Sequence, residues 1–152
     1  MRVIAGVARG VPLVAPRDRG TRPITDRVKE TLFDILGERV PGARVLDLFA
    51  GSGAIGIEAL SRGAVHATFV ERAPSALAAV RTNLERTRLG DAARIEPRDV
   101  DAFLRDATDG PWELVFLDPP YEVRAIVAPL RARLDDTPAV EPLRSRSARS
   151  PR

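Results

Sequence analysis

The sequence predicts an α/β fold in which a parallel sheet carries helices on both faces. Two observations predict it. From Arg44 onward, short apolar runs alternate with longer segments of helical periodicity, and 152 residues suffice for one such domain with a real core. The first run, Val45-Leu46-Asp47-Leu48-Phe49, breaks into Gly51-Ser52-Gly53-Ala54-Ile55-Gly56 and resumes as a helix. Strand, glycine turn and helix is how α/β folds bring bare main chain and helix-start N–H groups to a nucleotide-like ligand.

In chain order, residues 2–15 read as a β-hairpin, Arg2-Val3-Ile4-Ala5 and Val11-Pro12-Leu13-Val14, with arginine at its Arg9-Gly10 turn. A polar loop from Arg17 to Pro23 follows. Thr25 or Asp26 caps a helix with Val28, Leu32, Ile35 and Leu36 as its expected apolar face, ended by Gly37 and Pro41-Gly42. The first strand is 44–49 and its helix 54–62. The second strand, 67–70, ends at Glu71, and its helix runs over about 74–89 with Leu77, Val80 and Leu84 inward. The third strand, 93–96, precedes a helix over 100–107. The fourth, 114–117, ends in Asp118-Pro119-Pro120-Tyr121, and a last helix is expected over about 123–134. After Asp135 the pattern collapses into an Arg/Ser-rich tail in which no strand is predicted. The expected organisation is a basic arm (1–24), a ligand-binding body (25–134) and a disordered tail (135–152).

Composition narrows the function classes. No apolar run approaches membrane-spanning length, and residues 1–9 lack the apolar core of a secretion signal. With no cysteine, disulfides and thiolate metal sites are excluded, no other metal-ligand cluster stands out, and a cytoplasmic location is expected. The net charge of +3 is unevenly spread: seven basic against two acidic side chains over 1–29, thirteen against nineteen over 30–143, four against none over 144–152. Basic ends on an acidic body suggest a polyanion gripped by the arm. Solubility alone is the competing explanation, in a chain whose single lysine is Lys29.

The glycine turn by itself fits two kinds of cofactor. Gly51-x-Gly53-x-x-Gly56 satisfies the dinucleotide pattern, with Glu71 at the distance of a ribose-binding acid. Two features favour S-adenosyl-L-methionine. Asp47, inside the strand, would repel a pyrophosphate but suits an ammonium or sulfonium. The second ligand-side signature, Asp118 to Tyr121, is one that hydride transfer does not need. On this reading Glu71 accepts the ribose hydroxyls and Asp99 the adenine amino proton, with the Val100 N–H beside it. Asp99 can equally cap the helix that starts at Val100.

Asp118-Pro119-Pro120-Tyr121 suits methyl transfer to an aromatic amine. Such a nitrogen is a poor nucleophile, and acceptors on its two hydrogens orient its lone pair. Asp118 and the Pro119 carbonyl are those acceptors, held extended by the prolines that follow them, and Tyr121 offers a face to a flipped-out base. A strand-ending turn with a packed tyrosine is the plainer alternative.

With these residues in view, the sequence resembles the bacterial 16S rRNA guanine-N2 methyltransferase family (RsmD-like). The resemblance rests on Arg2-Val3-Ile4-Ala5-Gly6 with Arg9-Gly10, on Arg22-Pro23-Ile24-Thr25-Asp26-Arg27-Val28-Lys29-Glu30-Thr31-Leu32-Phe33, and on Asp47-Leu48-Phe49-Ala50-Gly51-Ser52-Gly53 running on through Ile57-Glu58-Ala59-Leu60-Ser61-Arg62-Gly63. It covers residues 2 to about 125 and implies a Rossmann-like methyltransferase acting on one guanine of small-subunit rRNA within an assembled particle. It places Asp47, Phe49, Gly51, Gly53, Glu71, Arg72, Asp99, Val100 and Thr25 at the cofactor, and Asp118, Pro119, Pro120 and Tyr121 at the base. Arg9, Arg22 and Arg27 are chosen for phosphate contacts. A DNA amino-methyltransferase and a binding remnant without turnover are the competing functions.

Members of that family continue with another parallel strand and an antiparallel hairpin. Here 31 residues follow Tyr121, and the expectation is that this part of the sheet is missing. Strand four would then be an exposed edge, prone to self-association. His66 is expected in a surface loop, Trp112 against the helix layer, and Glu58 solvated or ion-paired rather than catalytic.

Overall fold

The computed structural model describes residues 1–17, 23–107 and 110–118, together with the backbone of 139–140. The elements are α1 (Asp26–Leu36), β1 (Arg44–Leu48), α2 (Ala54–Ser61), β2 (His66–Val70), α3 (Pro74–Thr87), β3 (Ala93–Glu96), α4 (Val100–Asp106), β4 (Leu114–Leu117) and β5 (Ala139–Val140). All strand pairs are parallel, in the order β3-β2-β1-β4-β5. β1 is central: Val45, Leu46 and Leu48 are fully buried, as a strand covered on both faces requires.

Strand alternation divides the core in two. Val45, Ala67, Phe69, Leu114 and Phe116 face α1, α2 and α3, where they meet Leu32, Phe33, Leu36, Ile57, Leu60, Val80 and Leu84. Leu46, Leu48, Val70, Val115 and Leu117 face the other way, onto Val100 and Phe103 of α4 and onto Trp112. The Trp112 and Phe103 rings lie 6.0 Å apart, which puts the tryptophan against the helix layer as expected.

The structure corrects four expectations. Residues 139–140 do form a strand, pairing with Val115 and Phe116, so β4 is not wholly an edge. The sequence signal there was two residues long, set between Pro138 and Glu141-Pro142, and too short to register as a period. The inward face of α1 is Lys29, Leu32, Phe33 and Leu36, whereas Val28 and Ile35 are exposed. That rotation seats Phe33 between the Phe116 ring, 6.0 Å away, and the Arg62 guanidinium, 4.9 Å from its centroid. His66 opens β2 instead of preceding it, half-buried, with Nε2 3.3 Å from the Thr68 hydroxyl. The hairpin is minimal: a single antiparallel bridge joins Arg2 and Pro12, with Val3 N–H donating to Val11 and Gly10 N–H to Val3. The expected helix over 123–134 lies outside the described residues.

The arm is packed onto the body. Val3, Ala8 and Leu13 belong to the main core. Its turn straddles the end of α2: Val7 N–H donates to the Ser61 carbonyl, Ala8 N–H to the Ser61 hydroxyl, and that hydroxyl to the Ala5 carbonyl. Gly6 makes this possible, since a Cβ there would stand 1.8 Å from the Ser61 oxygen.

Beneath the arm is a buried ionic cluster. Glu58 accepts N–H groups of Ile4 (2.8 Å) and Ala5 (3.1 Å) and pairs with Lys29 (3.2 Å) and Arg62 (2.9 Å). Lys29 Nζ also donates to the Arg2 carbonyl at 2.6 Å. Burial lowers the Lys29 pKa, and Glu58 opposes that shift. Glu58 is therefore ion-paired, as expected, but it is fully buried rather than solvated.

Candidate functional site

The site lies at the C-terminal ends of the strands. After β1 the chain doubles back through Phe49 (φ 57°), Gly51 (φ 59°) and Gly53 (φ 78°), all left-handed, before α2 begins. A left-handed phenylalanine is uncommon and costs on the order of 1–3 kcal/mol, so the surroundings must hold it. They do: Ala50 N–H donates to Val70 at the end of β2, and Gly53 N–H closes the turn on Ala50. The third glycine serves packing. A Cβ on Gly56 would lie 2.4 Å from the Phe69 ring and 3.1 Å from Asp47 Oδ2.

Carboxylates already occupy the turn's donors. Asp47 is buried beneath the start of α2 and accepts the Gly56 N–H at 3.1 Å. Glu71, half-buried after β2, accepts Gly51 N–H at 2.9 Å with one oxygen, and Arg72 and Ala73 N–H at 3.0 Å each with the other. Asp118 follows β4 and is exposed. Burial pushes the Asp47 pKa up to about 8; the Gly56 N–H opposes that, and Asp118 and Glu71 add to it. Desolvation also holds Asp118 above the usual carboxylate range. Asp47 on β1 thus feels the charges of Glu71, just after β2, and Asp118, just after β4.

The remaining candidates fall around these acids or away from them. Asp99 is the N-cap residue of α4: its carbonyl accepts Phe103 N–H, but its exposed side chain makes no capping hydrogen bond. Val100 is buried in the second core cluster. Arg72 is exposed beside Glu71. Thr25, not Asp26, caps α1, its hydroxyl accepting Val28 N–H at 3.2 Å. Arg27 is exposed on the first turn of α1. Arg9 lies at the opposite end of α2 from the glycine turn, a helix length of roughly 12 Å away. Arg22, Pro119, Pro120 and Tyr121 lie outside the described residues. Among the described residues no group of acids and histidine is arranged to hold a metal, and no helix is long and apolar enough to cross a membrane.

Sequence reasoning missed Asn83. It is buried on α3, accepting Val14 N–H at 2.8 Å and donating through Nδ2 to the carbonyls of Val14 and Ser52, both at 2.9 Å. The available signal was an amide set between Val80 and Leu84 in an otherwise apolar stripe.

A family model described as Conserved hypothetical protein 95 matches residues 1–143. YlbH of Bacillus subtilis (strain 168), provisionally named an rRNA methyltransferase, is 43% identical over 130 residues, 84% of this chain and 71% of that protein. Ribosomal RNA small subunit methyltransferase D of Escherichia coli (strain K12) is 40% identical over 121 residues, 80% of this chain and 60% of that protein, so the chain spans less than two thirds of it. A solved structure of a hypothetical protein from Thermus thermophilus superposes with a TM-score of 0.79 at 36% identity, covering 93% of this chain and 84% of that one.

Proposed function

The chain belongs to the RsmD-like family described as Conserved hypothetical protein 95, and on that premise we propose that it transfers a methyl group from S-adenosyl-L-methionine to the N2 amine of a guanine in 16S rRNA. The observation that carries this reading is the use of the turn's N–H groups. Asp47 takes that of Gly56 and Glu71 that of Gly51, so a pyrophosphate would meet acids where it needs donors. A ligand carrying an ammonium and a sulfonium instead favours the ionised form of Asp47, which burial otherwise keeps protonated up to about pH 8. When bound, the cofactor supplies an electrophilic methyl group.

The chain's own residues do the positioning. A carboxylate offers about four lone-pair sites, and Glu71 already spends three on main-chain N–H groups. Accepting both ribose hydroxyls therefore requires it to release one of these three N–H groups. Asp99, free of capping duty, takes the adenine amino group, and Val100 N–H a ring nitrogen. Phe49, Gly53, Arg72 and Thr25 border the cofactor. Asp118 and the Pro119 carbonyl fix the guanine amine, with Tyr121 stacked on the base and Pro120 stiffening the turn. Arg9, Arg22 and Arg27 contact phosphates. The substrate form is 16S rRNA within a small-subunit particle in the cytoplasm, and β4 beyond its contact with β5 offers a surface for self-association.

Labelled-methyl transfer tests this on small-subunit particles, free 16S rRNA and duplex DNA. Transfer into the particles at guanine N2 is expected, and Asp118→Ala should lose about a hundredfold or more in rate, the cost of a misplaced acceptor. Transfer to adenine or cytosine in the duplex would make this a DNA enzyme. Cofactor and RNA binding with no transfer would make it a binding remnant.

A further inference from the structure

We propose that Asn83 is a positioning residue that couples the arm to the cofactor turn, so that an ordered arm tightens the turn and a bound cofactor tightens the arm. This rests on the cofactor reading above. The Asn83 amide is fully buried and divided between two regions: it pairs with both the N–H and the carbonyl of Val14, as a neighbouring strand would, and it holds the Ser52 carbonyl inside Gly51-Ser52-Gly53. Both Nδ2 hydrogens and the oxygen are thereby used. If Val14 leaves, a buried amide loses two partners at once and must rotate or hydrate to recover them, and a rotation takes the donor away from the Ser52 carbonyl. A second contact runs in parallel. The Ser52 hydroxyl donates to the Met1 sulfur at 3.8 Å while accepting the Ala54 N–H at 3.3 Å. Arm and turn thus share Ser52 at both its carbonyl and its hydroxyl. Beyond Val14 the chain carries Arg17, Arg19, Arg22 and Arg27 before α1 is complete, so a polyanion that engages these arginines acts on the segment leading directly from Val14. Coupling of this kind is reciprocal.

Calorimetric titration with S-adenosylhomocysteine, combined with amide hydrogen exchange, tests the proposal. In the unaltered chain the ligand is expected to slow exchange at Val14 by about fivefold or more relative to Val7, whose N–H is tied to Ser61 at the far end of α2. Asn83→Asp keeps an acceptor for Val14 N–H but loses both donors. It should weaken binding by about fivefold or more and abolish the difference between Val14 and Val7. A merely structural asparagine would move stability without a ligand-linked difference between two amides of one hairpin. Ligand binding with equal change at Val14 and Val7 in the unaltered chain overturns the coupling and leaves the cofactor reading standing. No ligand binding to the unaltered chain overturns both. The exchange comparison in the unaltered chain decides the matter even if Asn83→Asp does not fold.

Discussion

The glycine turn and the arm meet at Ser52, through Asn83 and Met1, yet they are held in opposite ways. The turn is secured by near neighbours in the fold's basic unit: Asp47 reaches Gly56 nine residues on, and Glu71 reaches Gly51 across one strand–helix–strand repeat. The arm is secured by partners far away in the chain. Glu58 holds Ile4 and Ala5 across 54 and 53 residues, and Asn83 holds Val14 across 69. The turn is thus specified by a motif and the arm by the completed body. The body must form before the arm has anywhere to dock, so the arm is the part that ought to open first.

The largest effect should come from the arm's anchor. Glu58→Ala leaves Lys29 buried without its carboxylate and frees two arm N–H groups, and should cost about 3–5 kcal/mol in urea unfolding. Loss spread evenly over the chain, with arm amides no more exchangeable than those of β1, would erase the contrast drawn above. The next effect belongs to the turn and depends on pH. The folded-state pKa of Asp47, about 8, lies above its ordinary 3.8, so the native chain holds this proton longer than the unfolded one. Its contribution is fully present below about pH 4 and is lost as pH rises towards 8, by at most about 1.4 kcal/mol per pH unit. Asp47→Asn should flatten that decline in denaturation curves taken between pH 5 and 8; an unchanged slope would mean that Asp47 is ionised in the native state. The smallest effect is steric. Gly56→Ala drives a methyl group into the Phe69 ring and should cost about 1–3 kcal/mol while weakening S-adenosylhomocysteine binding, measured by melting with and without the ligand.

The same contrast explains what could be read in advance. Each of the first four strands lies within a residue of its expected place, because each is a continuous apolar run, and Leu77, Val80 and Leu84 face inward as their spacing requires. The glycine turn after β1 and the acid at Asp47 were legible for the same local reason. The face of α1 was misjudged because lysine counts as a surface residue until its partner is known, and Glu58 lies on another helix. Asn83 was invisible as a link, since nothing near it in the chain names Val14 or Ser52. The distance of Arg9 from the glycine turn was not legible, because the hairpin's direction along α2 is a tertiary fact.

Lys29 carries one more consequence. It is the sole ε-amine in the chain, and it is sealed beneath Arg2 with no exposed surface. An acylating reagent therefore meets this amine only when the arm lifts or the domain unfolds. The rate at which residue 29 acquires an acyl group is thus a built-in clock for that opening, readable by mass without any engineered label, and a ligand that clamps the arm would slow it.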